Sequence, residues 1–331
     1  MADRPFRLLT LGFSVTAEAE GYIKFAQERS DGDGIEYRKV GLGGFAPKSI
    51  PPLLDYILTW ERPDALVLEI ATSAFRQVPG AQEVHRGVLA SMLNQIHERG
   101  IPCAMYDLPR ADVDHGTDWM VRMHKDVCEE LGLAYRRVDP EEGMFRDMVH
   151  PTESGREVMG LRYMELVETL KRDGWNVPGA VAAEARDFCF PVRKLINSPE
   201  GEMFHRAGLH MQTAELRPGK PQRLRLPKPA RVTGLMVVAG PKSGTLRLTS
   251  EEGEERLAET YDIFCYYQRP FHVEVDPFVT RSLMIEQLPD LPEVTLQKGD
   301  KDTGPRLGQL LALFCTEDIA ADAQAGMRLK V

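Results

Sequence analysis

The sequence predicts an α/β domain built on a parallel sheet, followed by a smaller all-β domain of sandwich or jelly-roll type. In the first half, short apolar runs alternate with amphipathic stretches. In the second half, period-two segments are broken by Pro and Gly turns. The length of 331 residues also exceeds what one core usually serves, so two domains are expected.

The apolar runs lie at 6–11, 35–40, 65–70, 101–106 and 133–138. Being hydrophobic on consecutive positions, they suit strands covered on both faces. Between them, 15–28, 49–60, 81–99 and 117–131 carry apolar residues at helical spacing, such as Val84, Val88, Leu89, Met92, Leu93 and Ile96. A last helix is expected at 153–172. Residues 1–175 then form the α/β domain, 176–208 a connecting segment and 209–331 the β domain. Strands of the latter are expected in QRLRLP, ARVTGLMVVAG, GTLRLTS, FHVEVDP, SLMIEQL, EVTLQ and GQLLALF.

Composition narrows the function classes. A formal net charge of -9 argues against nucleic acid as a partner, because such proteins present basic surfaces. Cys103, Cys128, Cys189, Cys265 and Cys315 are far apart with no C-x-x-C, which fits reduced thiols rather than a zinc site or a disulfide framework. The N-terminus does not resemble a secretion signal and no apolar stretch is long enough for a membrane helix, so a cytoplasmic protein without membrane contact is expected. Oligomeric state is left open, a homo-oligomer included.

Ligands of parallel sheets gather at the carboxyl ends of the strands. There the first run stops at Gly12-Phe13-Ser14, which reads either as a plain strand-to-helix turn with Ser14 as an N-cap or as a presented nucleophile. A serine needs a base, and the base a group that fixes its tautomer. FRDMVHPTESG supplies Asp147 and His150 after the fifth strand, at the same edge as Ser14.

These residues resemble the SGNH (GDSL-type) hydrolase family over roughly residues 6 to 172. The resemblance implies a three-layer, flavodoxin-like domain and cleavage of esters, often acyl groups on carbohydrates or lipids. It makes Ser14 the nucleophile, His150 the base and Asp147 the residue that orients it, with neither a metal nor an organic cofactor. The family's glycine after the second strand, whose N–H helps hold the oxyanion, corresponds to Gly41, Gly43 or Gly44, with Gly43 favoured. Two positions depart from the family pattern. Phe13 replaces the aspartate of Gly-Asp-Ser, and Ser73 in ATSA stands where an asparagine donates to the oxyanion. Either Ser73, Thr72 or a backbone N–H substitutes there, or the enzyme is slow.

Other signals read more plainly. Gly41-x-Gly43-x-x-Ala46 is a weak dinucleotide fingerprint, because Pro47, Pro51 and Pro52 follow where a helix N-terminus is needed. Asp112, Asp114, His115, Asp118 and His124 match no standard metal spacing and read as a solvated acidic loop. His85 and His97 read as surface helix residues. Tyr261, Phe264, Tyr266, Tyr267 and Phe271 offer a sugar-stacking face, although strand-spaced aromatics more often pack between sheets. The expected function is a serine ester hydrolase that removes an acyl group, acetyl first of all, from a glycan or small hydroxylated substrate. The alternatives are an O-acyltransferase using the same acyl-enzyme, and a catalytically weak glycan- or protein-binding protein.

Overall fold

A computed structural model describes residues 4–30, 32–196 and 201–318, which fall into two compact units divided between Glu184 and Ala185. The first contains, in order, β1 (Phe6–Gly12), α1 (Ser14–Ala17), α2 (Tyr22–Arg29), β2 (Ile35–Gly41), α3 (Ile50–Glu61), β3 (Ala65–Glu69), α4 (Ala81–Glu98), β4 (Cys103–Asp107), α5 (Trp119–Leu131), β5 (Ala134–Arg137) and α6 (Glu153–Asp173). The five strands pair in parallel in the order β2-β1-β3-β4-β5.

β3 and β4 are buried at every position, which is why their sequences run apolar without alternation. Helix α2 packs on α6, while α4 packs on α3 and α5. Tyr163 of α6 meets Tyr22 and Tyr106, the three rings lying edge-on or tilted at centroid distances of 5.4 to 5.7 Å. The helix expected over 15–28 is two. Glu18 leaves helical geometry at ψ 127°, and the chain re-enters a helix only after Gly21 in extended conformation.

The second unit holds β6 (Ala185–Pro191), β7 (Met203–Arg206), β8 (Leu209–Gln212), β9 (Ala214–Leu216), β10 (Gln222–Ala239), β11 (Thr245–Ser250), β12 (Glu255–Glu259), β13 (Arg269–Gln287) and β14 (Gly308–Asp318). Its main sheet runs β12-β11-β13-β10-β14-β6, with β9 also on β14, and β7 pairs with β8. The segment read as a connector thus contributes β6, antiparallel to β14. QRLRLP and ARVTGLMVVAG are one bent strand, since Pro227 and Pro229, which cannot donate to a ladder, fall in the register break between Arg225 and Ala230. FHVEVDP and SLMIEQL likewise merge into β13. EVTLQ is not a strand; its Leu296 packs instead on Ala239, Tyr261 and Cys265.

Four of the five highlighted aromatics lie on the turn between β12 and β13 rather than at strand spacing. Tyr261 is buried there, Phe264 is exposed, and Arg206 sits 5.0 Å over the Tyr267 ring. Among the described residues, no helix is long and apolar enough to cross a membrane, and no three His, Cys, Asp or Glu are placed to hold a metal ion.

Candidate active site

The carboxyl ends of β1, β2 and β3 carry the three turns singled out above. At the first, Phe13 folds its ring into the core at 3% exposure, while Ser14 opens α1 and is half-buried. As the first residue of a helix, Ser14 has no intrahelical acceptor for its N–H. Gly12 is required by space, because a Cβ there would stand 2.6 Å from Glu69 Oε2.

Of the three glycines at the end of β2 and just beyond it, Gly43 is the one beside the serine. A Cβ on it would lie 3.6 Å from both Cα and Cβ of Ser14, whereas a Cβ on Gly41 would strike Ala17 and one on Gly44 would meet nothing within 4 Å. After β3, Ser73 is 7% exposed and its Oγ accepts from Phe75 N–H at 3.2 Å, capping a short 3-10 turn. Neither the Gly43 nor the Ser73 N–H has an acceptor among the described residues. Three N–H groups without partners therefore collect at one edge of the sheet.

The histidine comes from the loop between β5 and α6. Phe145 bridges Pro151 and Arg146 N–H donates to His150 O at 3.0 Å, so residues 145–151 form a closed ring. Inside it, Asp147 Oδ1 accepts the N–H of Val149 at 2.9 Å and of His150 at 2.8 Å, and Oδ2 accepts His150 Nδ1–H at 2.9 Å. Burial alone would raise the Asp147 pKa, but the N–H groups of His150 and Val149 and the His150 ring outweigh it and hold the carboxyl at about 2. His150 Nε2 is left without a partner among the described residues. Thr152 then caps α6 by accepting from Gly155 N–H at 3.2 Å, which starts the helix straight after the ring.

Arg146 ties this ring to the first turn by an ion pair with Glu18, one residue past α1. Arg110, 5% exposed, donates to Thr72 O at 2.7 Å, and the N–H of the next residue, Ala111, donates to Met148 O at 2.9 Å. The ring is thus held from both sides, by the Ser14 turn and by the Ser73 turn.

Sequence reasoning missed Arg110, Arg146 and above all Glu69. Glu69 ends β3, is 0% exposed, and accepts from Phe13 N–H, Thr16 Oγ1, Thr72 N–H and Thr72 Oγ1. Its signal was one glutamate inside the otherwise apolar run ALVLEI.

The acidic loop is not simply solvated. His115 and His124 are buried at 2% and 0%, and Asp118 caps α5 by accepting from Met120 and Val121 N–H. His85 is not a surface residue either. It is 0% exposed, with Nε2 at 2.7 Å from His124 Nε2, while His124 Nδ1 lies 2.8 Å from Asp107 Oδ1. His97 is half-buried, its Nδ1 at 2.9 Å from Pro178 O.

No protein-family model and no curated protein matches the sequence. Among solved structures, the chain is similar to a two-domain esterase active on acetylated mannans, crystallised with mannopentaose: 11% identity, 96% of this chain, 92% of that chain and a TM-score of 0.59. A second structure of a two-domain esterase active on acetylated mannans gives 10% identity, the same coverages and a TM-score of 0.60. The likeness spans both units and places the chain in the two-domain fold of these esterases, a parallel α/β sheet with a separate antiparallel domain.

Proposed function

We propose that this protein is a carboxylic ester hydrolase of the SGNH type that removes an acyl group, acetyl first of all, from a glycan. The observation that carries the reading is the Asp147–His150 pair with a free Nε2, on a ring tied by Arg146 to the helix that Ser14 opens. The fold shared with esterases active on acetylated mannans supports the substrate class.

In this reading His150 Nε2 takes the Ser14 proton as Oγ attacks the ester carbonyl, and Asp147 holds Nδ1–H and stabilises the imidazolium. The carbonyl oxygen, now negative, is met by the N–H groups of Ser14 and Gly43 and by Ser73. His150 returns the proton to the departing sugar oxygen. Water, deprotonated by His150, then attacks the acyl-enzyme and releases the carboxylic acid, regenerating Ser14. Because Ser73 Oγ already accepts from Phe75 N–H, its own proton is free to donate.

The test is hydrolysis of p-nitrophenyl acetate and butyrate and of acetylated mannan by the wild type, Ser14→Ala and His150→Ala, with mass spectrometry of a fluorophosphonate adduct. Release of acetate and an adduct on Ser14, both lost in the variants, is expected. Equal behaviour of all three proteins would overturn the reading.

A further inference from the structure

We infer that Glu69 is a positioning residue of this site, its single carboxylate bracing the Ser14 turn against the Ser73 turn and so fixing N–H groups that receive the oxyanion. This rests on the triad reading above and adds to it a residue that touches neither substrate nor the reacting atoms.

Glu69 is level with Gly12 across the β1–β3 ladder. Oε2 accepts Phe13 N–H at 3.4 Å and Thr16 Oγ1 at 2.9 Å; Oε1 accepts Thr72 N–H at 3.3 Å and Thr72 Oγ1 at 2.8 Å. The positions matter, because Phe13 precedes Ser14 and Thr72 precedes Ser73.

In a trans peptide the C=O and the following N–H point in opposite directions. The Gly12–Phe13 peptide is therefore gripped at both ends, its N–H by Glu69 and its C=O by Leu42 N–H at 2.8 Å, just before Gly43. Thr72 is held on both of its peptides, the Ala71–Thr72 N–H by Glu69 and the Thr72–Ser73 C=O by Arg110 Nη1 at 2.7 Å. One line of hydrogen bonds thus runs Leu42, Gly12–Phe13, Glu69, Thr72, Arg110, through the residues immediately before Gly43, Ser14 and Ser73. Such a brace fixes donor directions to the fraction of an ångström that oxyanion stabilisation requires.

Only a carboxylate serves all four donors, since an amide offers one oxygen and turns an N–H₂ toward the remaining donors. The titratable groups that face Glu69 are Tyr22 from α2 and Tyr106 from β4, beside the neutral hydroxyls of Thr16 from α1 and Thr72 from its own turn, and none of them is a cation. Burial raises the carboxyl to about 7 against the pull of its four donors. Below that pH the acid proton turns one acceptor into a donor and loosens the brace.

Glu69→Gln is compared with the wild type on p-nitrophenyl acetate. The expected result is kcat reduced about 10- to 100-fold with KM within about twofold, and slower fluorophosphonate labelling of Ser14 in a folded protein. A pKa raised in the folded state adds stability in full below the unfolded value of 4.5 and loses it as pH rises through about 7. The melting temperature of the variant relative to the wild type should therefore rise between about pH 5.5 and pH 8.5. Retention of kcat within about twofold by folded Glu69→Gln overturns the inference. If that variant does not fold, Thr72→Val removes one donor and leaves the carboxylate. A kcat about 3- to 10-fold lower at constant KM is then expected, and an unchanged kcat overturns the role. A wild type without hydrolysis or adduct overturns the triad reading and Glu69 with it, whereas an active wild type with an equally active variant overturns Glu69 alone.

Discussion

The α/β unit contains two aspartate–histidine pairs of nearly equal length, and they differ in everything else. Asp147 and His150 are three residues apart on a loop, with side chains 52% and 29% exposed and the pair closed at 2.9 Å. Asp107 and His124 come from β4 and α5, are both 0% exposed, and are closed at 2.8 Å. What separates them chemically is the far ring nitrogen. His150 Nε2 is open, whereas His124, having given Nδ1–H to Asp107, spends Nε2 on His85. A carboxylate that orients an imidazole makes a base only where the other nitrogen can reach a substrate. The buried pair is a polar brace of the core, and Tyr135 OH joins it at 3.0 Å from Asp107 Oδ2.

This contrast can be broken most directly at the exposed pair. Ser14→Ala and His150→Ala should each lower kcat by about 10⁴- to 10⁶-fold with no change in folding, as for other serine triads. A residual activity within tenfold of the wild type in either would remove the exposed pair from catalysis. Asp147→Asn should cost about 10³- to 10⁴-fold in kcat, since it keeps the shape but no longer holds Nδ1–H or the developing charge. The next effect bears on the oxyanion rather than the base. Ser73→Ala keeps the backbone N–H but loses the hydroxyl, and about a 100-fold loss in kcat is expected; a loss under threefold would assign the task to N–H groups alone.

At the buried pair the expectation reverses. His124→Ala should leave kcat within about threefold and lower unfolding free energy by about 2–4 kcal/mol, through a cavity and two stranded polar partners. Urea melts of that variant beside kinetics would show it, and a catalytic loss without destabilisation would place His124 in the chemistry instead of the core. The smallest effect is acid sensitivity. Burial, then the neighbouring His124 and Arg76, hold the His85 pKa well below its usual 6.5. A depressed folded value means that the stability is full above about 6.5 and falls as the pH drops toward that value. Urea midpoints at pH 7.5 and pH 5 should therefore differ more in the wild type than in His85→Gln, and equal pH dependence would exclude His85 as the cause.

The two pairs also show why one site could be read from the chain and the other could not. Asp147-x-x-His150 is a local motif whose geometry follows from three residues of backbone on a tight turn. Asp107, His124 and His85 are 17 and 39 residues apart in their successive contacts, and only packing of α4 and α5 beside β4 joins them. Helical spacing put His85 on the solvent side because a periodicity argument sees one helix face, and α4 is covered on more than one by α3 and α5. The prolines at 227 and 229 misled in the opposite way, suggesting two strands where a bulge lets one long strand bend.

By itself, the sequence determined the parallel α/β order, the all-β second half and the position of Ser14, Asp147 and His150 in the loops that follow β1 and β5. All of these follow from local periodicity, turn chemistry and short spacing. Only the tertiary structure decided which glycine lies beside Ser14, that Phe13 is buried, and that Glu69 and Arg110 tie the Ser14 turn, the Ser73 turn and the histidine loop together. Those facts depend on contacts between residues 29 positions apart for Ser14 and Gly43 and 38 to 56 apart for the hydrogen bonds, and contacts of that range are set by how the strands align, about which no single stretch of sequence carries information.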